Sequence, residues 1–318
     1  MAFILLVLAL PDKPPYVVIE ALTEQVRYRV SRPAVAAIPL VNATVRTELE
    51  HCPQIVAPDG SVALFSGLLK PAEGSVVTYR YLPELVSIEL NSGEVSAGSL
   101  TFKDGASCML PQHFSLFAAM GNVVRRPLPI AGPADIGWEM GAPSVNVQNR
   151  PAKNYMFGGT VQVFGRASAF PYAGALYPTA NATFPLPAGG RLSSGDDITA
   201  KEPKAKVSGW YGVAEAGEKG FKVSAATISS DLRLYRPGGS EKGEFETFGL
   251  GMLTQIFSDP SVVVLTLFLL SFSFILQFVN IAVDVHLKRR GKDVPTPVES
   301  VMTTAPSSEK KGDDDTLA

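Results

Sequence analysis

Ser261 to Val283 reads SVVVLTLFLLSFSFILQFVNIAV, a run with no Asp, Glu, Lys or Arg. At 1.5 Å rise per residue such a run spans the roughly 30 Å hydrocarbon layer of a bilayer with slight tilt. A single segment crosses there only as a helix, because every backbone group must find its partner internally. A core helix of a soluble domain would keep one polar stripe for water, and this run is apolar on nearly all sides. Pro260 stands at its entry, where a first-turn proline is tolerated. The expected transmembrane helix covers 260–284.

Working outward, the flanks differ in charge. Lys288, Arg289, Arg290 and Lys292 follow the run, whereas Glu241, Glu244, Glu246 and Asp259 precede it. Lys and Arg close to a span set its orientation and remain on the cytoplasmic side. These four basic residues therefore predict a cytoplasmic C-terminus. They place the long N-terminal part outside: in the periplasm, the exterior or an organelle lumen. The tail, 285–318, is basic and then polar, ends on an acidic run, and is expected to be disordered for want of apolar residues.

Inside the span, Gln277 and Asn280 lie three residues apart on one helical face. Amides in hydrocarbon are costly unless paired, so they mark a side where the helix meets a neighbour, a second copy or a partner subunit. The competing reading leaves them near the interface and simply wetted.

The remainder is a large domain, 11–259. Its pattern has period 2: Val26, Tyr28 and Val30 alternate with Gln25, Arg27 and Arg29, and Val77, Tyr79 and Tyr81 alternate with Thr78 and Arg80. Val86, Ile88 and Leu90, then Phe221, Val223 and Ala225, repeat it. Such alternation marks strands with one buried and one wet face. Turn residues fall between the runs at Asp59-Gly60, Asn91-Ser92-Gly93, Asp104-Gly105 and Ala216 to Gly220, where Gly and Asn supply positive φ. The expected fold is mainly β, an antiparallel sandwich-like or barrel-like outer domain followed by one C-terminal transmembrane helix. It forms one unit, or two divided near 125–151, a stretch rich in Pro and Gly. His113 to Met120 is the best candidate for a helix before the span. Residues 1–10, MAFILLVLAL, fit an atypical signal, a truncated first span or a strand, and eight apolar residues do not separate these.

The whole chain has 318 residues, with 28 Lys+Arg against 30 Asp+Glu and a net charge of -2. That balance makes no long-range field for nucleic acid, which is excluded as a partner. Hydrophobic residues make up 46%, which excludes global disorder.

The two cysteines, Cys52 and Cys108, both fall in the outer part, where one disulfide is expected. In the chain-entropy description its loop contributes roughly 3–4 kcal/mol. His51-Cys52 with Cys108 and His113 is formally a zinc set. Adjacent strand side chains point to opposite faces, however, so His51 and Cys52 do not easily share an ion. Asn42-Ala43-Thr44 and Asn181-Ala182-Thr183 are glycosylation acceptors by pattern. Phe164, Phe170, Tyr172, Tyr177 and Phe184, with Trp210-Tyr211, form either core or a ligand-binding strip. Asp196-Asp197 reads as a solvated turn.

There is no G-x-S-x-G, H-E-x-x-H, Walker A or G-x-G-x-x-G pattern, and Phe248-Gly-Leu-Gly251 is only a fragment of the last. His51 and His113 remain as general-base candidates without a visible nucleophile. No catalytic, cofactor or metal residue is assigned. The expected function is a non-catalytic, single-pass membrane protein whose outer β-domain binds a protein partner or assembles into a membrane complex. The alternatives are a membrane-anchored extracytoplasmic enzyme, hydrolase-like but without a recognisable motif, and a surface or coat protein.

Overall fold

The computed structural model describes residues 14–47, 64–93, 96–123, 126–137, 156–167, 173–194, 209–229, 232–236, 245–247 and 258–290, together with Leu49, Cys52 and Ile55. The expectations at residues 1–10, Asp59-Gly60, Asp196-Asp197, Phe248 to Gly251 and the tail from 291 lie outside the described residues. The chain divides into two compact units after Val264.

In chain order the strands are β1 (Tyr16–Thr23), β2 (Gln25–Arg29), β3 (Ile38–Val45), β4 (Leu64–Pro71), β5 (Val76–Leu82), β6 (Leu85–Asn91), β7 (Gly98–Phe102), β8 (Ser107–Met109) and β9 (His113–Ala119). A single helical turn, α1 (Met120–Val123), follows. Then come β10 (Leu128–Gly132), β11 (Ala134–Ile136), β12 (Met156–Arg166), β13 (Leu176–Leu186), β14 (Arg191–Ser193), β15 (Trp210–Ala216), β16 (Phe221–Ile228), β17 (Arg233–Tyr235) and β18 (Phe245–Thr247). The chain then enters the long helix α2 (Pro260–Arg290). The fold is mainly β, as expected.

Two antiparallel sheets carry the domain. One runs β10-β15-β16-β1-β12-β13, and the other runs β18-β17-β14-β11-β2-β5-β6-β9-β3-β4-β7-β8. The period-2 pattern becomes inward and outward faces. In β1, Val17, Ile19, Ala21 and Thr23 are buried while Glu20 is exposed. In β16, Phe221, Val223 and Ala225 turn inward. The inward faces of both sheets share one hydrophobic core.

Tyr28, Tyr79 and Phe221 join the sheets at the centre. The Tyr28 and Tyr79 rings lie 5.7 Å apart, and Tyr79 lies 6.4 Å from Phe221 of the other sheet. The Tyr28 and Tyr79 hydroxyls share a hydrogen bond of 3.0 Å, and Tyr79 donates onward to the Pro129 carbonyl at 2.8 Å. A phenol buried among apolar residues needs such partners, and here the second bond reaches β10 in the facing sheet.

Two of the changes of sheet among the described strands fall at opposite ends of β2. Between β1 and β2 the Thr23 hydroxyl donates to the Gln25 carbonyl at 3.1 Å and accepts from the Gln25 amide at 3.2 Å. Between β10 and β11 the crossing is Gly132-Pro133. There the Arg29 amide donates to the Pro133 carbonyl and the Ser31 amide to the Ala131 carbonyl. Gly132 has φ +151°, and a Cβ on it would collide with the Arg29 carbonyl oxygen. Within 125–151, therefore, β10 and β11 join different sheets of the same unit.

The helix expected at His113 to Met120 is instead the strand β9. Phe114, Leu116 and Ala118 are buried at every second position, and β9 pairs antiparallel with β6 from Leu85↔Ala119 to Asn91↔His113. The apolar spacing is two, and only Met120 to Val123 turn helically. Asp104-Gly105 closes the β7–β8 hairpin with Gly105 at φ +87°, and the Asp104 carboxylate accepts from the Ala106 amide at 3.0 Å. Asn91 to Gly93 ends β6 without making a hairpin, because β9 takes the place beside β6 and β7 pairs with β4.

The strand assignment of β9 has a direct mutational signature. Leu116→Ala removes a fully buried side chain and is expected to cost about 2–5 kcal/mol of unfolding free energy. His113→Ala, on the exposed side, is expected to change it by no more than about 0.5 kcal/mol. Urea unfolding of the two variants checks this, and equal losses would contradict the strand register.

Candidate functional site

The feature with the clearest physical purpose is α2. Asp259 caps it: its Oδ1 accepts the Ser261 amide at 2.8 Å, and its carbonyl accepts the Val262 and Val263 amides. A carboxylate at this position satisfies orphan donors and faces the positive end of the helix dipole. Asp259, Ser261 and Val262 are buried, and the Asp259 charge is close enough to Tyr177 to add to the burial that pushes that phenol up to about 12. Beyond this first turn the apolar side chains are open: Phe268 is 65% exposed and Leu270 63%. A soluble core helix would be covered. This helix is long and apolar enough to cross a bilayer, and it fits a membrane anchor.

The helix continues past the expected end at residue 284 to Arg290. Nothing in DVHLKRR breaks a helix, and Lys288, Arg289 and Arg290 in the last turn suit its negative end. Lys292 lies outside the described residues. Gln277 and Asn280 are both exposed on one face, as the spacing required.

Cys52 and Cys108 form a disulfide, with Cα atoms 5.7 Å apart and a sequence separation of 56. Cys108 sits on β8, a three-residue strand at the end of the larger sheet. Cys52 is buried in the core beside Leu49 and Ile55, and its amide donates to the Leu49 carbonyl. The bond thus ties a short sheet edge to a segment of the core. Both sulfurs are committed, so neither serves as a zinc ligand. His113 is exposed at the start of β9, and His51 lies outside the described residues. Among the described residues no three His, Cys, Asp or Glu side chains gather as a metal set.

The aromatic residues divide between core and flank. Trp210 is fully buried, Tyr177 is buried and Phe184 packs against the core. Phe164 meets Tyr16 across β12 and β1 at 6.4 Å, and Tyr211 is 38% exposed beneath the Arg32 guanidinium. They do not line one strip. Phe170 and Tyr172 lie outside the described residues. Asn42 is exposed at an irregularity of β3 with φ +49°, and its side-chain oxygen accepts from the Ser66 hydroxyl at 3.1 Å. Asn181 falls within β13.

A polar row across the larger sheet escaped the sequence reading. Register places Arg27 opposite Asp135 and Thr78, Asp135 opposite Ser193, and Thr78 opposite Glu89, all on one face. Arg27 Nη2 lies 3.1 Å from Asp135 Oδ2, with side-chain exposures of 13% and 4%. Burial raises the Asp135 carboxyl above the ordinary range, although Ser193, Arg27 and Arg191 each pull it back. Gln25, on the same face of β2, is fully buried with neither amide atom hydrogen-bonded. Burial likewise holds the Tyr28 and Tyr79 hydroxyls protonated well above their usual range. These groups are tied into the sheet: Arg27 and Ser193 hold the Asp135 carboxyl, and the two phenols stay neutral.

An open depression of about 720 Å³ is lined by Pro33, Lys70, Pro71, Ser96, Gly98 and Met109, with Met109 68% exposed. Its one charged group is Lys70, so it presents no convergent acid–base pair. Comparison with family models, with curated proteins and with solved structures returned no match.

Two measurements follow from this geometry. Replacing both cysteines by Ser is expected to lower the unfolding free energy of the oxidised protein by roughly 3–4 kcal/mol, read by denaturant unfolding. An unchanged midpoint would mean that the bond constrains nothing. For Asp135 the folded-state pKa lies above the unfolded value of about 3.9, so its contribution is complete below that value and is lost as pH rises through the folded pKa. Asp135→Asn keeps the shape and removes the titration. The stability of the native chain relative to this variant should therefore fall as pH rises from about 3.5 toward neutrality. A flat difference would mean that burial does not shift Asp135, and a rising one that its pairing with Arg27 outweighs burial.

Proposed function

We propose that the chain is a single-pass membrane protein whose β-domain lies on the extracytoplasmic side and serves as a non-catalytic module for binding a protein partner or assembling a membrane complex. The observation that carries this reading is the conjunction of a disulfide before α2 with a basic cluster after it. Disulfides persist in oxidising compartments, and Lys288, Arg289, Arg290 and Lys292 hold their end of a span in the cytoplasm. Two independent rules thus give one orientation. The non-catalytic part is supported by chemistry: the buried Asp135 carboxylate and the Tyr28 and Tyr79 hydroxyls are locked into sheet packing.

On this reading Asn42, exposed and in an acceptor pattern, faces a compartment where glycosylation would take place in a host that performs it. The antiparallel domain offers its two sheets as binding surfaces.

The orientation is tested by protease added to sealed cells or vesicles carrying the full chain with a tag after Ala318. Loss of the segment before Pro260 with a protected tag is the expected result. Digestion of the tag with an intact outer domain would overturn the proposal.

A further inference from the structure

The polar residues of α2 do more than include one amide pair. At 100° per residue, Thr266, Ser273, Gln277, Asn280 and Asp284 fall within about 60° of arc on one side of the helix. Ser273 follows Thr266, Asn280 follows Ser273 and Asp284 follows Gln277 each by seven residues, so the stripe repeats every two turns at 3.5 residues per turn. Phe268, Phe278 and Leu267 lie away from it, exposed and apolar. Ser271, on the opposite side, spends its hydroxyl inside its own helix, donating to the Leu267 carbonyl at 2.8 Å. The one histidine, His286, is also away from the stripe, in the basic end.

A period of 3.5 is the repeat that keeps one seam in contact between two helices wound left-handedly. In hydrocarbon such a seam is held by side-chain hydrogen bonds and close packing, not by the hydrophobic effect. Gln277 and Asn280 are exposed amides, each both donor and acceptor, so each pairs with an identical residue facing it across a two-fold axis. Copies of one chain inserted with one orientation are parallel, which brings like positions together. Asp284 has Lys288 one turn further on, and in a parallel pair the Asp284 of one helix meets the Lys288 of the other near the headgroups.

We infer that α2 forms a parallel homodimer in the membrane through the seam Thr266, Ser273, Gln277, Asn280 and Asp284. The partner is a second copy of this chain, because the seam is self-complementary in amides and in charge. The inference rests on the membrane reading of α2 but not on what the outer domain binds.

The test uses the full chain in liposomes, with membrane fractions first washed at alkaline pH so that only inserted protein is scored. Single cysteines are introduced at Ser273, Asn280, Ser271 and Phe278 with the native disulfide left oxidised. Oxidative cross-linking is expected for Ser273→Cys and Asn280→Cys and not for Ser271→Cys or Phe278→Cys. In an otherwise native chain, Gln277→Leu with Asn280→Leu is expected to leave insertion unchanged. Association measured by energy transfer on lipid dilution should weaken by roughly tenfold, the combined effect of two interhelical hydrogen bonds. Cross-linking centred on Ser271 and Phe278, no cross-linking at any site, or unchanged association of the double Leu variant would each overturn the seam. Protein absent from the washed membranes would instead refute the membrane reading itself.

Discussion

The architecture depends on one constraint: α2 cannot remain in water with its apolar side chains uncovered. Between Ser261 and Val283 no charge interrupts the helix, and a single Asp, Lys or Arg at its centre would cost about 2.5–3.5 kcal/mol on insertion. A helix that closes all its own backbone bonds and carries Phe268, Leu270, Phe274 and Phe278 exposed is suited to lipid on every side but one. The Asp259 cap fixes where that helix starts, and the basic last turn fixes where it stops being apolar.

That domain is stabilised by the meeting of two antiparallel sheets, not by either one separately. The Tyr28–Tyr79 hydroxyl pair, its bond to the Pro129 carbonyl and the packing of Phe221 couple the larger sheet to the smaller. The sheet changes at Thr23 to Gln25 and at Gly132-Pro133 lie at opposite ends of β2, and at the second the Arg29 and Ser31 amides find backbone partners across the crossing. The short strand β8 is a weak edge by length, and the disulfide to Cys52 compensates by tying it to the core.

Local patterns were legible where their cause is local. Val26 and Tyr28, Val86 to Leu90 and Phe221 to Ala225 alternate because each strand has one inward face, and the structure places them so. The span was legible because a long charge-free run has few soluble uses. The helix expected over His113 to Met120 is a strand as far as Ala119, because Phe, Leu and Ala suit either state. Its place between β6 and β3 is decided by partners far along the chain. The Arg27–Asp135 pair was invisible for the same reason: 108 residues separate them, and only the β2–β11 register brings them together. In the sequence Arg27 looked like an ordinary wet position, and nothing around Asp135 marked it as buried. The seam on α2 was half legible, since Gln277 and Asn280 stood out. Thr266, Ser273 and Asp284 join them only when the helix is followed to Arg290.

The account therefore turns on whether α2 is integral to a bilayer. Extraction of membranes at alkaline pH, which strips proteins held by charge or by other proteins, measures this directly on the full chain. The account predicts that the whole chain stays with the lipid pellet and is released only by detergent. Recovery of the intact chain in the alkaline supernatant would contradict it, and α2 would then have to be covered by protein instead of lipid.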